Sequence, residues 1–366
     1  MNEPPLRILF APASGPGGSG EYYRCLTLAR AVAARAPSAR IDFLLSVKAG
    51  VERDERFTYH EIADTPARAG DEVLRLIESL RPQLAVFDCT GRVRQFRALQ
   101  RAGARVVWIS DRSPKRLKGF RPRQLRQVDL HLAVDVSGRP PKLKAYEKLL
   151  LAVFGRGRAA AMAVPGIVAE PDREALAAWR ERLPEPGRPY AVFVAGGGGY
   201  VEDGRPVPEI LVDAAERLAE ATGIDAVVVL GPQYRGSLRE HSHVCLIDSL
   251  PTAALGALLA DARLAVTGAG SMLSAQVLAA GVPAVMIPAG GNDQAQRIRD
   301  LERAGLVAGS PLRAPALAER ARALLEAPER AAEQVARQRA LGTADATAET
   351  AERLLTLARS GRPQRA

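Results

Sequence analysis

Two short polar loops late in the chain carry residues suited to a charged, hydroxyl-rich ligand. The first, Gly268-Ala269-Gly270-Ser271, follows the apolar run Leu264 to Thr267 and precedes an apolar helical stretch from Met272 to Ala280. A helix that starts among small residues presents unbonded N–H groups and the positive end of its dipole, which suits a phosphate. Gly281 ends that helix, Pro283 to Ile287 reads as a second strand, and Gly290-Gly291-Asn292-Asp293-Gln294 follows. Asn, Asp and Gln side chains supply the donors and acceptors that recognise hydroxyls. Both loops fall on the carboxyl edge of one β-α-β unit, where open α/β sheets bind ligands. Phosphate at one loop and hydroxyls at the next point to a sugar nucleotide. Glycines that only allow tight packing are the plain alternative.

Other glycine loops stand earlier in the chain. Gly15-Pro16-Gly17-Gly18-Ser19-Gly20 fits the dinucleotide-binding pattern between a strand and a helix. That fingerprint also needs an acid at the end of the second strand to hold ribose. Here the strand ends Leu45-Ser46-Val47-Lys48, so a nicotinamide enzyme is not expected. Gly196-Gly197-Gly198-Gly199 follows another strand and leaves room for a ligand to approach the backbone. Asp88 and Asp111 each follow a strand end, where a base, a hydroxyl binder or a simple loop acid would all stand. His241 and His243 lack a third ligand, and no Asp-x-Asp occurs. No bound metal or cofactor is therefore expected.

These segments also resemble a known group. The Gly-Ser turn, Ala280-Gly281-Val282-Pro283-Ala284, the strand running to Pro288, and then Asp293, Gln294 and Gln296 resemble the nucleotide-sugar half of GT-B glycosyltransferases. The likeness is strongest to the MurG-like enzymes that add N-acetylglucosamine to lipid I. Gly20-Glu21-Tyr22-Tyr23-Arg24-Cys25-Leu26-Thr27-Leu28-Ala29 resembles the start of PseG, a UDP-sugar hydrolase of pseudaminic acid synthesis. Its motif reads Gly-His-x-x-Arg-Cys-Leu-Thr-Leu-Ala. Leu84 to Asp88 and Val107 to Asp111 are similar to its Asp-bearing strand ends.

The resemblance implies that Gly198, Gly199, Gly270 and Ser271 approach the donor diphosphate. It implies that Ile247 pairs with the base through its backbone, that Gln276 meets the ribose, and that Asp293, Gln294 and Gln296 meet the sugar. Gly18, Gly20 and Arg24 would belong to the acceptor loop. Two departures matter. Glu21 stands where the relatives have His, and Gln276 where they have Glu. Glu21 can accept a proton from an acceptor or can simply be an acid at a helix start. Asp88 and Asp111 are the fallback bases. An amide at Gln276 holds ribose hydroxyls less strongly than a carboxylate.

The elements that must position these residues alternate. Strands are expected at Arg7 to Pro12, Ile41 to Ser46, Leu84 to Asp88, Arg105 to Ser110 and Leu130 to Asp135. A second series is expected at Tyr190 to Val194, Ala226 to Leu230, Val244 to Ile247, Leu264 to Thr267 and Ala284 to Ile287. Helices lie between them, and alternation of this kind predicts parallel sheets covered on both faces. The 366 residues suit two domains. Tyr146 to Pro189 reads as a transition, with residues 1–165 forming an acceptor domain and 166–366 a donor domain. A C-terminal helix can cross back to the first domain. The expected class is α/β, GT-B: two Rossmann-like domains in tandem facing a cleft.

Charge is unevenly placed, with 29 Lys+Arg against 16 Asp+Glu in residues 1–165 and 22 against 25 in the remainder. Seven basic residues and no acid lie between Arg112 and Arg126, and Lys142, Lys144 and Lys148 follow. Such a stretch suits an acidic or lipid-linked acceptor or an anionic membrane face, or is an Arg-rich solvated surface. Few aromatics and no binding module speak against nucleic acid. Three scattered cysteines, no long apolar run and no signal-peptide pattern lead to the expectation of a cytoplasmic protein, peripheral on the membrane if the acceptor is lipid-linked. The expected activity is inverting, metal-independent transfer of a hexosyl or N-acetylhexosaminyl group from an NDP-sugar, UDP-sugar foremost. The alternatives are a PseG-like nucleotide-sugar hydrolase and a non-catalytic nucleotide-binding protein.

Overall fold

The computed structural model describes residues 5–13, 15, 18–111, 113–155, 159–237, 242–342 and 345–360. Pro16, Gly17, Arg112, His241 and the tail 361–366 lie outside the described residues. The chain divides into two units. Unit 1 takes in residues 1–135, 141–167 and 346–366, and unit 2 takes in 136–140 and 168–345.

In unit 1 the elements run β1 Arg7–Pro12, α1 Gly20–Arg35, β2 Arg40–Ser46, β3 Thr58–Ile62, α2 Gly70–Leu80, β4 Leu84–Asp88 and α3 Val93–Arg101. They continue as β5 Arg105–Ser110, α4 Ser113–Gly119, α5 Pro122–Leu125, β6 Leu130–Val134, α6 Ala145–Phe154 and β7 Ala160–Val164. Unit 2 runs α7 Arg173–Ala177, β8 Tyr190–Val194, the short strands β9 Val201–Glu202 and β10 Arg205–Pro206, α8 Val207–Thr222, β11 Asp225–Val229 and β12 Val244–Ile247. It goes on through α9 Thr252–Asp261, β13 Leu264–Gly268, α10 Ser271–Ala280, β14 Ala284–Ile287, α11 Gln294–Arg303, β15 Ala308–Gly309, α12 Ala314–Leu325 and α13 Pro328–Ala340. The last helix, α14 Thr347–Arg359, returns to unit 1 and packs on α1.

Each unit is built on a parallel sheet. Strand order is β3-β2-β1-β4-β5-β6-β7 in unit 1 and β12-β11-β8-β13-β14-β15 in unit 2. Central strands are apolar on both faces, as sheets covered by helices on both sides require. Ile8, Leu9, Phe10 and Ala11 of β1 are all buried, as are Leu264, Ala265 and Val266 of β13. These are two Rossmann-like α/β folds, as expected from the alternation.

Several elements escape the apolar pattern. β3 reads Thr58-Tyr59-His60-Glu61-Ile62 and is polar because it is an edge strand. The segment between β8 and α8 holds a hairpin: β9 and β10 pair antiparallel around Asp203 and Gly204, both with positive φ. Asp-Gly is the pair that such two-residue turns favour. Within the stretch read as a transition, residues 173–182 form the short α7 followed by a 3-10 turn at Arg180–Arg182.

A buried polar pair marks the β5–β6 seam of unit 1. Ser110 Oγ lies 2.8 Å from His131 Nε2, with neither residue exposed. The Phe120 ring covers the imidazole at 4.6 Å, and a Cβ on Gly119 would stand 2.2 Å from it. Burial, aided by Arg116, pushes the His131 imidazole down to about 3. The unfolded chain takes up this proton near pH 6.5 and the folded chain does not, so stability falls as pH drops from about 6.5 towards 3. Over the first two pH units that loss is about 2 kcal/mol. In urea titrations at successive pH values, His131→Gln is expected to flatten this acid limb relative to wild type.

Candidate functional site

Both units gather their candidate residues where strand order reverses. In unit 2, β8 is flanked by β11 on one side and β13 on the other, so the loops leaving β8 and β13 diverge and open a crevice at the carboxyl edge. The β8 loop is Ala195 to Tyr200 and the β13 loop is Ala269–Gly270.

The glycines of these loops do different work. Gly198 is buried with φ +78°, and a Cβ there would lie 2.3 Å from the Leu230 carbonyl oxygen. It allows the loops after β8 and β11 to touch backbone to backbone, a packing role where a ligand contact was expected. Gly196 and Gly199 are exposed. Gly270 caps α10 at φ −62°, and a Cβ there would meet nothing within 4 Å. It borders open space at a helix start with no side-chain cap. With Ser271 behind it, this is the place in unit 2 best suited to an anion.

The second loop is held internally. Arg297, on α11, donates through Nη1 to the Ala269 carbonyl at 2.7 Å and through Nη2 to Asp293 Oδ2 at 2.7 Å. It thereby ties the hydroxyl loop to the anion loop. Gln294 Oε1 accepts from the Ala289 N–H at 2.9 Å. Gln296 is exposed and donates to Asp300.

Three expectations are corrected here. Asp293 and Gln294 point their side chains back into the loop and shape it. Gln276 is 3% exposed, and its Nε2 donates to the Thr252 carbonyl at 3.0 Å, so it joins α10 to α9 and does not face the crevice. Ile247 is fully buried and its carbonyl accepts from the Leu230 N–H at 2.9 Å, so that oxygen is engaged between β11 and β12. Arg297 escaped the sequence reading, although its place four residues after Asp293 is the spacing of a helical ion pair.

Unit 1 reverses between β1 and β4, and Pro12 pairs with Asp88 at that seam. Gly15 and Gly18 bond to each other across the first loop, and α1 begins at Gly20. Glu21 stands in the first turn of α1, half-buried, where the dipole favours an acid. Its carboxylate, the Cys89 thiol and the Asp111 carboxylate have ligand atoms within 4.8 Å of one another. That trio could surround a cation, but a guanidinium already supplies positive charge there. Arg24, 2% exposed, donates through Nε and Nη2 to the two oxygens of Asp88, each at 2.7 Å, and through Nη1 to Asp111 Oδ2 at 3.1 Å.

Burial works against the Arg24 charge, but Asp88 and Asp111 hold its pKa well above the ordinary value. Burial also pushes the Asp88 carboxyl up against the pull of Arg24. Asp88 has no exposure and both its oxygens are taken. The structure therefore corrects it from fallback base to anchor. It corrects Arg24 likewise, from acceptor contact to the group that holds the anchor. Asp111 remains 9% exposed beside Glu21.

Cys89 was missed. It follows Asp88 with φ +55°, a left-handed conformation that costs an L-residue about 1–3 kcal/mol. Its thiol lies 3.1 Å from Asp111 Oδ1. Burial, with Asp111 and Asp88 opposite, pushes that thiol well up, so it stays an S–H donor. Lys115 Nζ donates to the Cys89 carbonyl at 2.6 Å and Lys118 Nζ to the Gly91 carbonyl at 3.3 Å. Part of the basic stretch after Asp111 is thus spent on fixing this loop.

No known protein-family profile matches the chain, and no curated protein does. Solved structures do. Spinosyn forosaminyltransferase SpnP superposes with a TM-score of 0.66 at 15% identity, covering 97% of this chain and 99% of that one. Glycosyltransferase VinC in complex with DTDP gives 0.62 at 15% identity over 97% and 100%. UGT2 of Phytolacca americana, complexed with UDP-2-fluoro-glucose and pterostilbene, gives 0.63 at 12% identity over 97% and 99%. The likeness is one of fold, and the chain has the two-domain GT-B fold of these transferases over nearly its whole length.

Removing Arg24 would leave Asp88 buried and uncompensated. Arg24→Ala is expected to cost about 3–5 kcal/mol in denaturant melts, with Arg24→Lys recovering only part because it lacks the two-pronged geometry. The two glycine roles separate in the same measurement. Gly198→Ala is expected to lose at least about 2 kcal/mol, whereas Gly270→Ala should stay within about 0.5 kcal/mol.

Proposed function

We propose that this chain is a glycosyltransferase that moves a sugar from a nucleotide diphosphate sugar to an acceptor hydroxyl or amine, with inversion and without a metal. The carrying observation is the cluster of Glu21, Asp111 and Cys89 at the strand reversal of unit 1, in a chain folded like glycosyltransferases end to end. A UDP-sugar is the donor proposed. DTDP in one neighbour and UDP-2-fluoro-glucose in another support a pyrimidine nucleotide.

Unit 2 would take the donor. Backbone N–H groups at Gly199, Gly270 and Ser271 and the start of α10 would receive the diphosphate, whose charge grows as it leaves. Unit 1 would take the acceptor. Its O–H or N–H proton passes to the Glu21 carboxylate as the acceptor atom bonds to the anomeric carbon. The bond from that carbon to the diphosphate oxygen breaks, and the nucleotide diphosphate keeps the electron pair. Asp111, held by Arg24 and Cys89, orients the acceptor, while Asp88 positions Arg24 and touches no substrate. The basic balance of residues 1–165 supports an acidic or lipid-linked acceptor and a peripheral position on an anionic membrane face.

Glu21→Gln is expected to lower kcat by about 100- to 10,000-fold, with nucleotide-sugar affinity by calorimetry unchanged. Turnover should persist in EDTA, and Gly270→Ala should weaken donor binding while kcat holds. Full activity in Glu21→Gln would remove it as the base. Nucleotide diphosphate released at the same rate with no acceptor added would make water the acceptor, and the protein a hydrolase. An absence of binding and turnover across a panel of nucleotide sugars would end the enzymatic reading.

A further inference from the structure

Helix α6 carries apolar residues on its outward side as well as its inward one. Its sequence, Ala145-Tyr146-Glu147-Lys148-Leu149-Leu150-Leu151-Ala152-Val153-Phe154, is mostly apolar, yet its one fully buried residue is Glu147. Tyr146, Leu149 and Val153 are exposed at 41%, 63% and 58%. They fall at i, i+3 and i+7, on one face of the helix, and Ala145 and Ala152 are exposed beside them. The helix is fastened by charge. Arg116 Nε and Nη2 donate to Glu147 Oε1 and Oε2 at 2.7 and 2.9 Å, and its Nη1 donates to Asp135 at 3.1 Å. An amphipathic helix normally turns its apolar face to the core. Here the body takes the Glu147 carboxylate together with the half-buried Leu150, Leu151 and Phe154, and a second apolar face is left outward.

The charge around that face selects what can cover it. Between residues 113 and 155 there are ten Lys and Arg against three Asp and Glu. All three acids are engaged: Asp129 with Arg105, and Asp135 and Glu147 with Arg116. Exposed Lys144 and Lys148 lie on the helix and its N-cap, and the Arg126 guanidinium lies 5.9 Å from the Phe154 ring centre. Two copies of this face would set like charges against each other, which opposes self-association. An apolar stripe edged by basic residues matches an anionic lipid surface, whose acyl boundary takes the stripe while its headgroups take the cations. Among the described residues no helix is long and apolar enough to cross a membrane, so such attachment would be by lying on the surface.

We infer that the outward face of α6 (Tyr146, Leu149 and Val153, with Lys144 and Lys148 beside them) is an interfacial anchor that docks unit 1 on anionic lipid. This names the contact surface for the membrane position proposed above and rests on it. The test is co-sedimentation of the full chain with phosphatidylcholine vesicles, with and without phosphatidylglycerol. Wild type is expected to bind the mixed vesicles, more weakly at high salt. Lys148→Gln should weaken binding about fivefold. The charge-neutral pair Leu149→Ser with Val153→Ser should weaken it about tenfold or more, leaving the thermal midpoint and transfer to a soluble acceptor unchanged. If the double variant binds like wild type, charge alone attaches the protein and the α6 anchor is overturned while the membrane position stands. If wild type binds no anionic vesicle at low salt, both fall. A concentration-dependent dimer, lost in the double variant and accompanied by no vesicle binding, would give the face to a second copy and overturn the anchor.

Discussion

One guanidinium organises the reversal point of unit 1. Arg24 rises from the second turn of α1 and ends against Asp88 at the tip of β4 and Asp111 after β5. An isolated buried charge costs several kcal/mol, and pairing it seldom returns more than that cost. The value of the arrangement is therefore placement more than stability. Because both Asp88 oxygens accept from Arg24, α1 cannot slide or rotate on the sheet without breaking a desolvated ion pair. Glu21, one turn earlier on the same helix, inherits that rigidity. The left-handed Cys89 turns the chain so that its thiol meets Asp111. Three segments distant in sequence are thereby held within a few ångströms.

Unit 2 reaches the same end by lighter means. Arg297 joins Asp293 to a backbone carbonyl, so it secures one loop to the next and leaves the crevice to backbone N–H groups. Gly198 lets neighbouring loops close up, and Gly270 leaves the helix start bare. Unit 1 thus gathers carboxylates beside a buried guanidinium, and unit 2 offers a helix start among small residues.

The alternation of apolar runs made both sheets legible, because strands covered on two faces must be apolar throughout. Loop chemistry was legible only as composition. Gln276, Asp293 and Gln294 are polar residues at plausible places, yet their partners are Thr252, Arg297 and Ala289, which no local spacing reveals apart from the Asp293–Arg297 interval. Arg24 was expected in the acceptor loop, because nothing in the local sequence marks an arginine near a helix start as buried. Only the convergence of β4 and β5 shows it buried. The stretch from Tyr146 was unreadable for a different reason. Its proline-punctuated surroundings suggested a linker, while a helix with a buried acid and apolar residues on both faces lacks the pattern by which surface helices are recognised.

Unit 1 is assembled from both ends of the chain. Its strands precede residue 168, yet α14, which packs on α1, follows all of unit 2. At the crossing, the Ala346 N–H bonds to the Gly166 carbonyl in unit 1, and the Val168 N–H bonds to Asp345 in unit 2. During synthesis the sheet of unit 1 must therefore wait, lacking its final cover, until the whole of unit 2 has emerged and can fold as an insert. Ala351, Leu354, Leu355 and Ala358 of α14 are buried when it arrives. Chain order thus makes the covering of α1, the helix that carries Glu21 and Arg24, the last step in completing unit 1.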